Sequence, residues 1–328
     1  MLFFVVETVI KTIVVFGVFL LFCAYLTLAE RKILGHIQVR IGPNRVGPWG
    51  LLQPIADGLK ALFKEEVVPE RSDKVLFIIA PMISVSMALC LMAVIPFGDH
   101  ITLFGKKINL VIANSEIGLL YLFAFASLAD YGVVIGGWSS YNKYGLLGGL
   151  RAAAQMISYE IALGLSCVGV IMISGSLNLV DIVKAQAGGH WNVIYQPIAF
   201  IFYIICALAE INRTPFDMPE AESELACGYN IEYSSMKFSL FFIGEYAHLM
   251  IVAAVATTLF LGGWHGPYLP SVVWFLIKTF LIVFFFMWQR GTFPRLRYDR
   301  IMMLGWKVLL PLTLANIFVT GLVMVLAR

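Results

Sequence analysis

Four carboxylates lie where a carboxylate is costly. Asp130, Glu160 and Glu245 fall inside long apolar stretches of this 328-residue chain, and Glu210 closes another. An ionisable side chain in a membrane segment costs about 3 kcal/mol on insertion scales, so its presence points to an ion or proton path. A single such carboxylate also serves as a hydrogen-bonding group between helices. Four together are hard to read that way. His248 follows Glu245 by three residues, which puts both on one helical face. Beyond Glu210, the run AEINRTPFDMPEAESELACGYNIEY crowds Glu210, Asp217, Glu220, Glu222, Glu224 and Glu232 into 23 residues against Arg213 alone. Pro219 suits a helix start, and acids just after it meet the positive helix end. In such a helix Glu220 and Glu224 share a face and Glu222 points elsewhere. Charge runs are ordinarily solvated surface, but Pro215, Phe216, Leu225 and Tyr229 interleave with these acids. A partly buried cluster of like charges is expected, able to hold and pass protons near neutral pH.

Other chemistries are poorly supported. The five cysteines, Cys23, Cys90, Cys167, Cys206 and Cys227, are scattered singly, without the clustering that zinc or iron–sulfur sites need. Of the five histidines only His248 lies in an apolar stretch, which argues against a haem held by two of them. No glycine-rich fingerprint follows a strand and opens a helix, so a nucleotide site is not expected either. No cofactor or metal is expected on this chain, and any redox group must sit on partners.

The elements that position these residues are membrane helices. The chain is 60% hydrophobic and 13% charged, with a mean hydropathy of +0.87. A soluble domain runs at about 45–50% and 25%, so lipid is the main solvent. No nucleic-acid partner is expected. Eight segments are long and apolar enough to span: 5–28, 75–96, 116–138, 152–174, 193–209, 238–262, 271–289 and 304–326. The first lacks the basic start and small-residue cleavage site of a signal peptide and reads as a retained helix. The expected fold is therefore an all-α membrane protein, residues 1–328 forming one polytopic domain. Seventeen of the 23 Lys and Arg fall in alternate connections, at about 30–74, 139–151, 210–237 and 290–303 and their edges. The opposite side holds only Lys106, Lys107, Lys184 and Arg328. This asymmetry makes the odd connections cytoplasmic and both chain ends outward. Within the first connection, Leu51, Leu52, Ile55, Leu59, Leu62 and Phe63 recur at helical spacing. That amphipathic helix lies either in the cytoplasmic membrane interface or against a partner subunit.

Four stretches together resemble one family. They are ERKILGHIQVRIGPNRVGPWGLLQPIADGLKALFKE (30–65), GWSSYNKYGLLGGLRAAAQMISYEI (137–161), the acidic run 210–233, and TFPRLRYDRIMMLGWKVLLPL (292–312). In sequence and order they resemble the quinone-channel subunit (subunit 1) family of respiratory complex I, the proton-pumping NADH–quinone oxidoreductase of the bacterial inner membrane. The resemblance implies a subunit at the junction of the peripheral and membrane arms, whose helices form most of a tunnel admitting quinone, the substrate, from the bilayer. It implies FMN and iron–sulfur clusters on partner subunits, soluble neighbours completing the quinone site, and antiporter-like subunits receiving the coupling. The matching tunnel positions are Glu30, Arg31, Gln38, Arg40, Gln53, Asp57 and Asp217. The matching proton-path positions are Glu160, Glu210, Glu220, Glu222, Glu224, Glu232 and Glu245.

Two positions depart from the family pattern: Asp130 in SLADYGVV, where the family usually has an apolar residue, and His248 in EYAHLM, where it usually has asparagine. Each adds a titratable group beside the implied path. Three other readings compete. The homologous membrane component of an energy-converting hydrogenase is disfavoured by the intact HIQVRIGPNRVGPWG segment. A stand-alone transporter would show the paired repeats and broken helices of that class. A passive anchor has no need of so many costly carboxylates.

Overall fold

The computed structural model describes residues 2–103, 106–219 and 222–326. Its helices in chain order are α1 (Leu2–Ile37), α2 (Gln53–Phe63), α3 (Lys74–Met92), α4 (Gly118–Ser139), α5 (Lys143–Ser174), α6 (Leu179–Ala185), α7 (Asn192–Tyr195), α8 (Pro197–Glu210), α9 (Glu222–Leu225), α10 (Ser235–Phe260), α11 (Ser271–Thr292), α12 (Tyr298–Met303) and α13 (Leu310–Leu326). A π turn, Leu304–Leu309, joins the last two. Among the described residues seven stretches are long and apolar enough to cross a membrane. The segment expected over 193–209 is shorter: α8 has 14 residues, about 21 Å against a hydrocarbon core of about 30 Å. Its backbone is broken from α7 at Gln196, and its inner face is buried against α5.

Several helices run past the expected ends. The first span, expected to stop at 28, continues to Ile37 and carries Glu30 and Arg31 with it. Likewise α5 starts at Lys143 rather than 152, capped by the Asn142 side chain, which accepts from the Tyr144 N–H. Between α3 and α4 lies a two-stranded antiparallel ribbon, β1 (His100–Leu103) and β2 (Lys106–Asn109), that was not expected. The helix expected after Pro219 shrinks to the single turn α9. Ala226, Cys227 and Gly228 then follow one another in the left-handed region, at φ 50, 80 and 55°, which a right-handed helix cannot continue through.

Close helix approach sets the interior. A Cβ on Gly132 of α4 would lie 2.9 Å from the Ala80 carbonyl of α3, and one on Gly244 of α10 would lie 2.6 Å from Ser84 Oγ. Small residues let helices meet this closely in lipid, where no hydrophobic force drives them together. At the far end of α10, the buried Lys278 donates to the carbonyls of Leu261, Gly263 and His265 at 2.7, 3.1 and 2.7 Å. A cation inside an apolar helix thus binds the carbonyls of its neighbour's C-cap and of the loop that follows it.

The amphipathic helix α2 is fastened from beneath, because Ser235 Oγ donates to Ala61 O and Lys64 O at 2.8 and 2.9 Å. Ile55, Leu59, Leu62 and Phe63 remain exposed, Phe63 at 87%.

Candidate functional site

Charged groups gather at one end of the bundle, where α1 and α11 finish, α10 starts, and a turn follows α8. The turn carries Arg213, which is 3% exposed. Arg213 Nη1 donates to both oxygens of Glu30 on α1, at 2.5 and 2.6 Å, and Arg290 of α11 donates to the same carboxylate. Arg213 Nε lies 2.5 Å from Glu245 Oε1 on α10, an ion pair without hydrogen-bond alignment. Its Nη2 has no partner, and its guanidinium stands 4.6 Å over the Tyr246 ring. Arg295 donates to Asp217 at 2.6 Å, while Leu296 N–H donates to Pro215 O at 3.0 Å and ties the two segments together. Burial pushes the Asp217 carboxyl above its ordinary range, an effect partly offset by Arg295. Three carboxylates meet three guanidinium groups here, so the cluster is neutral. Such pairs cost desolvation when formed, and breaking one costs about 3–5 kcal/mol.

On the other side of Glu245 is a cavity of about 50 Å³ between α3, α4, α5, α8 and α10, lined by Ser84, Asp130, Glu210, Asn212, Glu245 and His248, with Met156, Tyr229 and Phe241 as apolar wall. A water needs about 10–15 Å³, so roughly three fit. His248 Nε2 lies 3.1 Å from Glu210 Oε1. Glu160 on α5 accepts from Ser127 on α4 and stands within electrostatic reach of Asp130 and Glu210. Three of the four intramembrane carboxylates therefore share one small polar chamber with the histidine, and the fourth lies beside it. Glu245 belongs to both assemblies.

A third region faces outward. Residues 40–45 with Arg31 and Gln53 bound a groove of about 740 Å³. Arg31 donates to Asp57 at 2.8 Å, Gln53 to Asp57 at 3.0 Å, and Arg40 to Gln38 at 2.7 Å. The tunnel candidates thus divide. Arg31, Arg40 and Gln53 line this groove, with Gln38 and Asp57 bonded to them, whereas Glu30 and Asp217 join the arginine cluster. An apolar groove of about 370 Å³ runs between α1, α10 and α11, past Phe22, Leu26, Met250 and Phe280.

The acidic loop differs from expectation. Glu224 is exposed and paired with Arg151 at 2.7 Å, and Glu232 accepts from Asn142 Nδ2 at 2.6 Å. Both have their own partners instead of repelling each other in a buried cluster. Glu220 lies outside the described residues, as does the side chain of Glu222.

Sequence reasoning missed the cations that organise the site. Arg213, Arg290 and Arg295 were read only as topology signals. The usable signal was their position beside carboxylates at helix ends on one side of the membrane. It also missed Gln155, which is fully buried on α5 and donates to Ala209 O, Asn212 Oδ1 and Phe216 O at 2.8, 3.0 and 2.7 Å. That amide holds the turn between Glu210 and Asp217. Among the described residues no three His, Cys, Asp or Glu side chains are placed to hold a metal.

A family model described as NADH dehydrogenase matches residues 10–321. The chain is 56% identical to the NADH-quinone oxidoreductase H subunit 1 of Geobacter sulfurreducens, covering 97% of this chain and 95% of that one. It is 55% identical to the NADH-quinone oxidoreductase H subunit of Syntrophotalea carbinolica, covering 95% and 94%. To the corresponding protein of Thermomicrobium roseum it is 49% identical, covering 94% of each.

Proposed function

Since the chain belongs to this NADH dehydrogenase family, as a multi-pass membrane subunit of NADH-quinone oxidoreductase, we propose that it guides quinone from the bilayer and carries a carboxylate proton path that couples quinone reduction to proton translocation. The observation that carries this reading is Glu245, paired with Arg213 on one side and lining the polar cavity on the other. A group that belongs to both assemblies can pass a charge change from one to the other. The cavity then leads to Glu210, His248 and Asp130, with Glu160 beyond. On the other side, the cluster's Glu30 precedes Arg31 of the open groove on the same helix, α1. The exposed apolar face of α2 beside that groove suits a bilayer interface through which a long-tailed quinone arrives. The apolar groove between α1, α10 and α11 suits its tail.

In this reading the soluble quinone-site subunits cover the groove, antiporter-like subunits receive the coupling, and FMN and iron–sulfur clusters sit on partners. With α7 and α8 together making the eighth crossing, the charge asymmetry orients the chain in a bacterial inner membrane with both ends outside.

Glu→Gln keeps volume and removes the transferable proton. In assembled complex in inverted membrane vesicles, Glu160→Gln and Glu245→Gln should each depress quinone reduction and membrane potential together, by at least about tenfold. Glu→Asp at the same positions should be milder, since it keeps the proton. Assembled variants that reduce quinone and pump at the parental level would leave the path without support.

A further inference from the structure

The amphipathic helix α2 is held less by packing than by hooks. Of its eleven residues only Ala61 is buried, and Ile55, Leu59, Leu62 and Phe63 stand exposed. Among the described residues, polar side chains reach it from two places. Near its start, Arg31 of α1 donates to Asp57 at 2.8 Å. At its end, Ser235 of α10 donates to the carbonyls of Ala61 and Lys64 at 2.8 and 2.9 Å. One hydroxyl proton is thus shared between two of the carbonyls that a helix C-terminus leaves open. The neighbours of Ser235 hook the segment just beyond: Val67 N–H donates to Ser234 Oγ at 3.0 Å, and Lys237 pairs with Glu66. Ser235 holds its place in the left-handed region, at φ 55°. Glycine would adopt that backbone without strain, so what serine adds there is the hydroxyl. The helix therefore bridges the end of α1 and the start of α10. Both grooves run along α1: Leu26 lines the apolar one, and Arg31, five residues on, lines the polar one about 7.5 Å further along the axis. Gln53, the first residue of α2, belongs to the wall of the polar groove.

We propose that Ser235 is a positioning residue for quinone entry: its hydroxyl latches α2 across the ends of α1 and α10, at the spacing a long isoprenoid tail fills. The proposal rests on reading the two grooves as the quinone's route. With the headgroup at or beyond the polar groove and the tail in the apolar one, the stretch joining them passes α2 along α1. A short tail ends before that point and does not sense where α2 lies. Without the hydroxyl, α2 keeps Asp57 and the hooks beyond its end, and it spends part of its time out of place. A site that is in place for only a fraction of the time binds more weakly in proportion to that fraction. One hydrogen bond changes that population about fivefold. The contacts of the headgroup are untouched, so turnover of bound quinone is not affected.

The test is Ser235→Gly in assembled complex, reconstituted in liposomes with graded amounts of a long-tailed isoprenoid quinone or of a short-tailed quinone with the same headgroup. NADH oxidation is the readout. Glycine fits the left-handed backbone and removes only the hydroxymethyl group. The expected result is a KM for the long-tailed quinone raised about fivefold, with kcat unchanged and the short-tailed KM at the parental value. Ser235→Ala loses the same hydroxyl but keeps a Cβ on strained backbone, so it should show the same KM at a lower melting temperature than Ser235→Gly. A long-tailed KM at the parental value, a rise shared by both quinones, or a fall in kcat alone overturns the latch. A KM that tracks melting temperature across the two variants makes Ser235 a structural tie and overturns it too. Leu281→Trp separates the latch from the route, because Leu281 is exposed on the apolar groove and a larger ring there fills the groove without entering the interior. If Leu281→Trp raises the long-tailed KM and Ser235→Gly does not, the route stands and the latch falls. If Leu281→Trp leaves that KM unchanged, the tail does not lie there, and route and latch fall together. Should neither Ser235 variant assemble, Ser234→Ala removes the hook on Val67. Its expected effect is a smaller rise confined to the long-tailed quinone, and an unchanged KM overturns the proposal.

Discussion

The arginine cluster and the cavity are built from the same kind of acid and meet at Glu245 of α10, yet they hold charge in opposite ways. In the cluster, Glu30, Glu245 and Asp217 face Arg213, Arg290 and Arg295, and every acid has a guanidinium partner. In the cavity, Asp130 and Glu210 have one imidazole between them and space for about three waters. A guanidinium does not give up its proton in the working pH range, so the cluster fixes charge. Carboxyl, imidazole and water can each give or take a proton, so the cavity can store and move one. A membrane segment tolerates both arrangements. What separates storage from structure is the kind of partner the acid has, more than its depth or its own identity.

The largest effect that follows is on the structural side. Glu30→Gln keeps the side-chain volume but leaves the buried Arg213 and the half-buried Arg290 without the anion that joins them. Removing one partner of a buried ion pair costs about 3–5 kcal/mol. The expected outcome is a complex that fails to assemble or melts well below the parent, read by thermal scanning of detergent-purified complex. A Glu30→Gln complex that assembles and melts with the parent would erase the distinction between the two regions.

The next effect concerns pH. Asp217 is 9% exposed, and burial lifts its carboxyl above the ordinary range even with Arg295 beside it. Between its ordinary and its raised value the folded state binds more protons than the unfolded state. Stability from this group is therefore greatest at low pH and falls as pH rises through that window. Asn cannot titrate, so Asp217→Asn should remove this component of the slope. Melting temperatures of parent and variant, followed downward from neutral pH through that window, should diverge in favour of the parent as pH falls. Parallel curves would mean that Asp217 is held ionised like the other acids of the cluster.

How much of this was legible depended on what kind of cost a residue carries. Asp130, Glu160, Glu210 and Glu245 stood out because a carboxylate in an apolar run is costly wherever the chain folds. Their partners did not stand out, because Arg213, Arg290 and Arg295 lie in connections where cations are ordinary. Only the meeting of three separate helix ends makes them a site. Glu30 was assigned to a connection because the apolar run stops at Leu28, whereas α1 continues through charged residues to Ile37. The acidic helix expected after Pro219 was an inference from caps and charge. It failed against Ala226 and Cys227, two non-glycine residues with positive φ that local sequence rules do not flag. The β-ribbon of His100–Leu103 and Lys106–Asn109 escaped because four-residue strands leave too short an alternation to read.

The smallest effect belongs to the exposed acids, and it is the one that most sharpens the comparison. Glu224 pairs with Arg151 at 2.7 Å, much as Glu30 pairs with Arg213, but its side chain is 50% exposed and that of Arg151 is 32% exposed. Water already solvates both ions, so forming the pair gains little, and losing it leaves neither ion stranded. Exposed pairs are worth about 0.2–1 kcal/mol, and salt screens them further. Glu224→Gln should therefore assemble and melt within about 1 kcal/mol of the parent. Its turnover should also fall far less than that of Glu245→Gln. A proton that reaches Glu224 can come from bulk water, and water can replace the missing carboxyl as carrier. Glu245 has no such substitute, since Arg213 closes one side of it and a three-water cavity the other. The check is quinone reduction and membrane potential for both variants in the same vesicle preparation. If Glu224→Gln loses as much turnover as Glu245→Gln while melting with the parent, solvent exposure does not rank these acids, and the acidic loop holds a relay as indispensable as the one in the membrane.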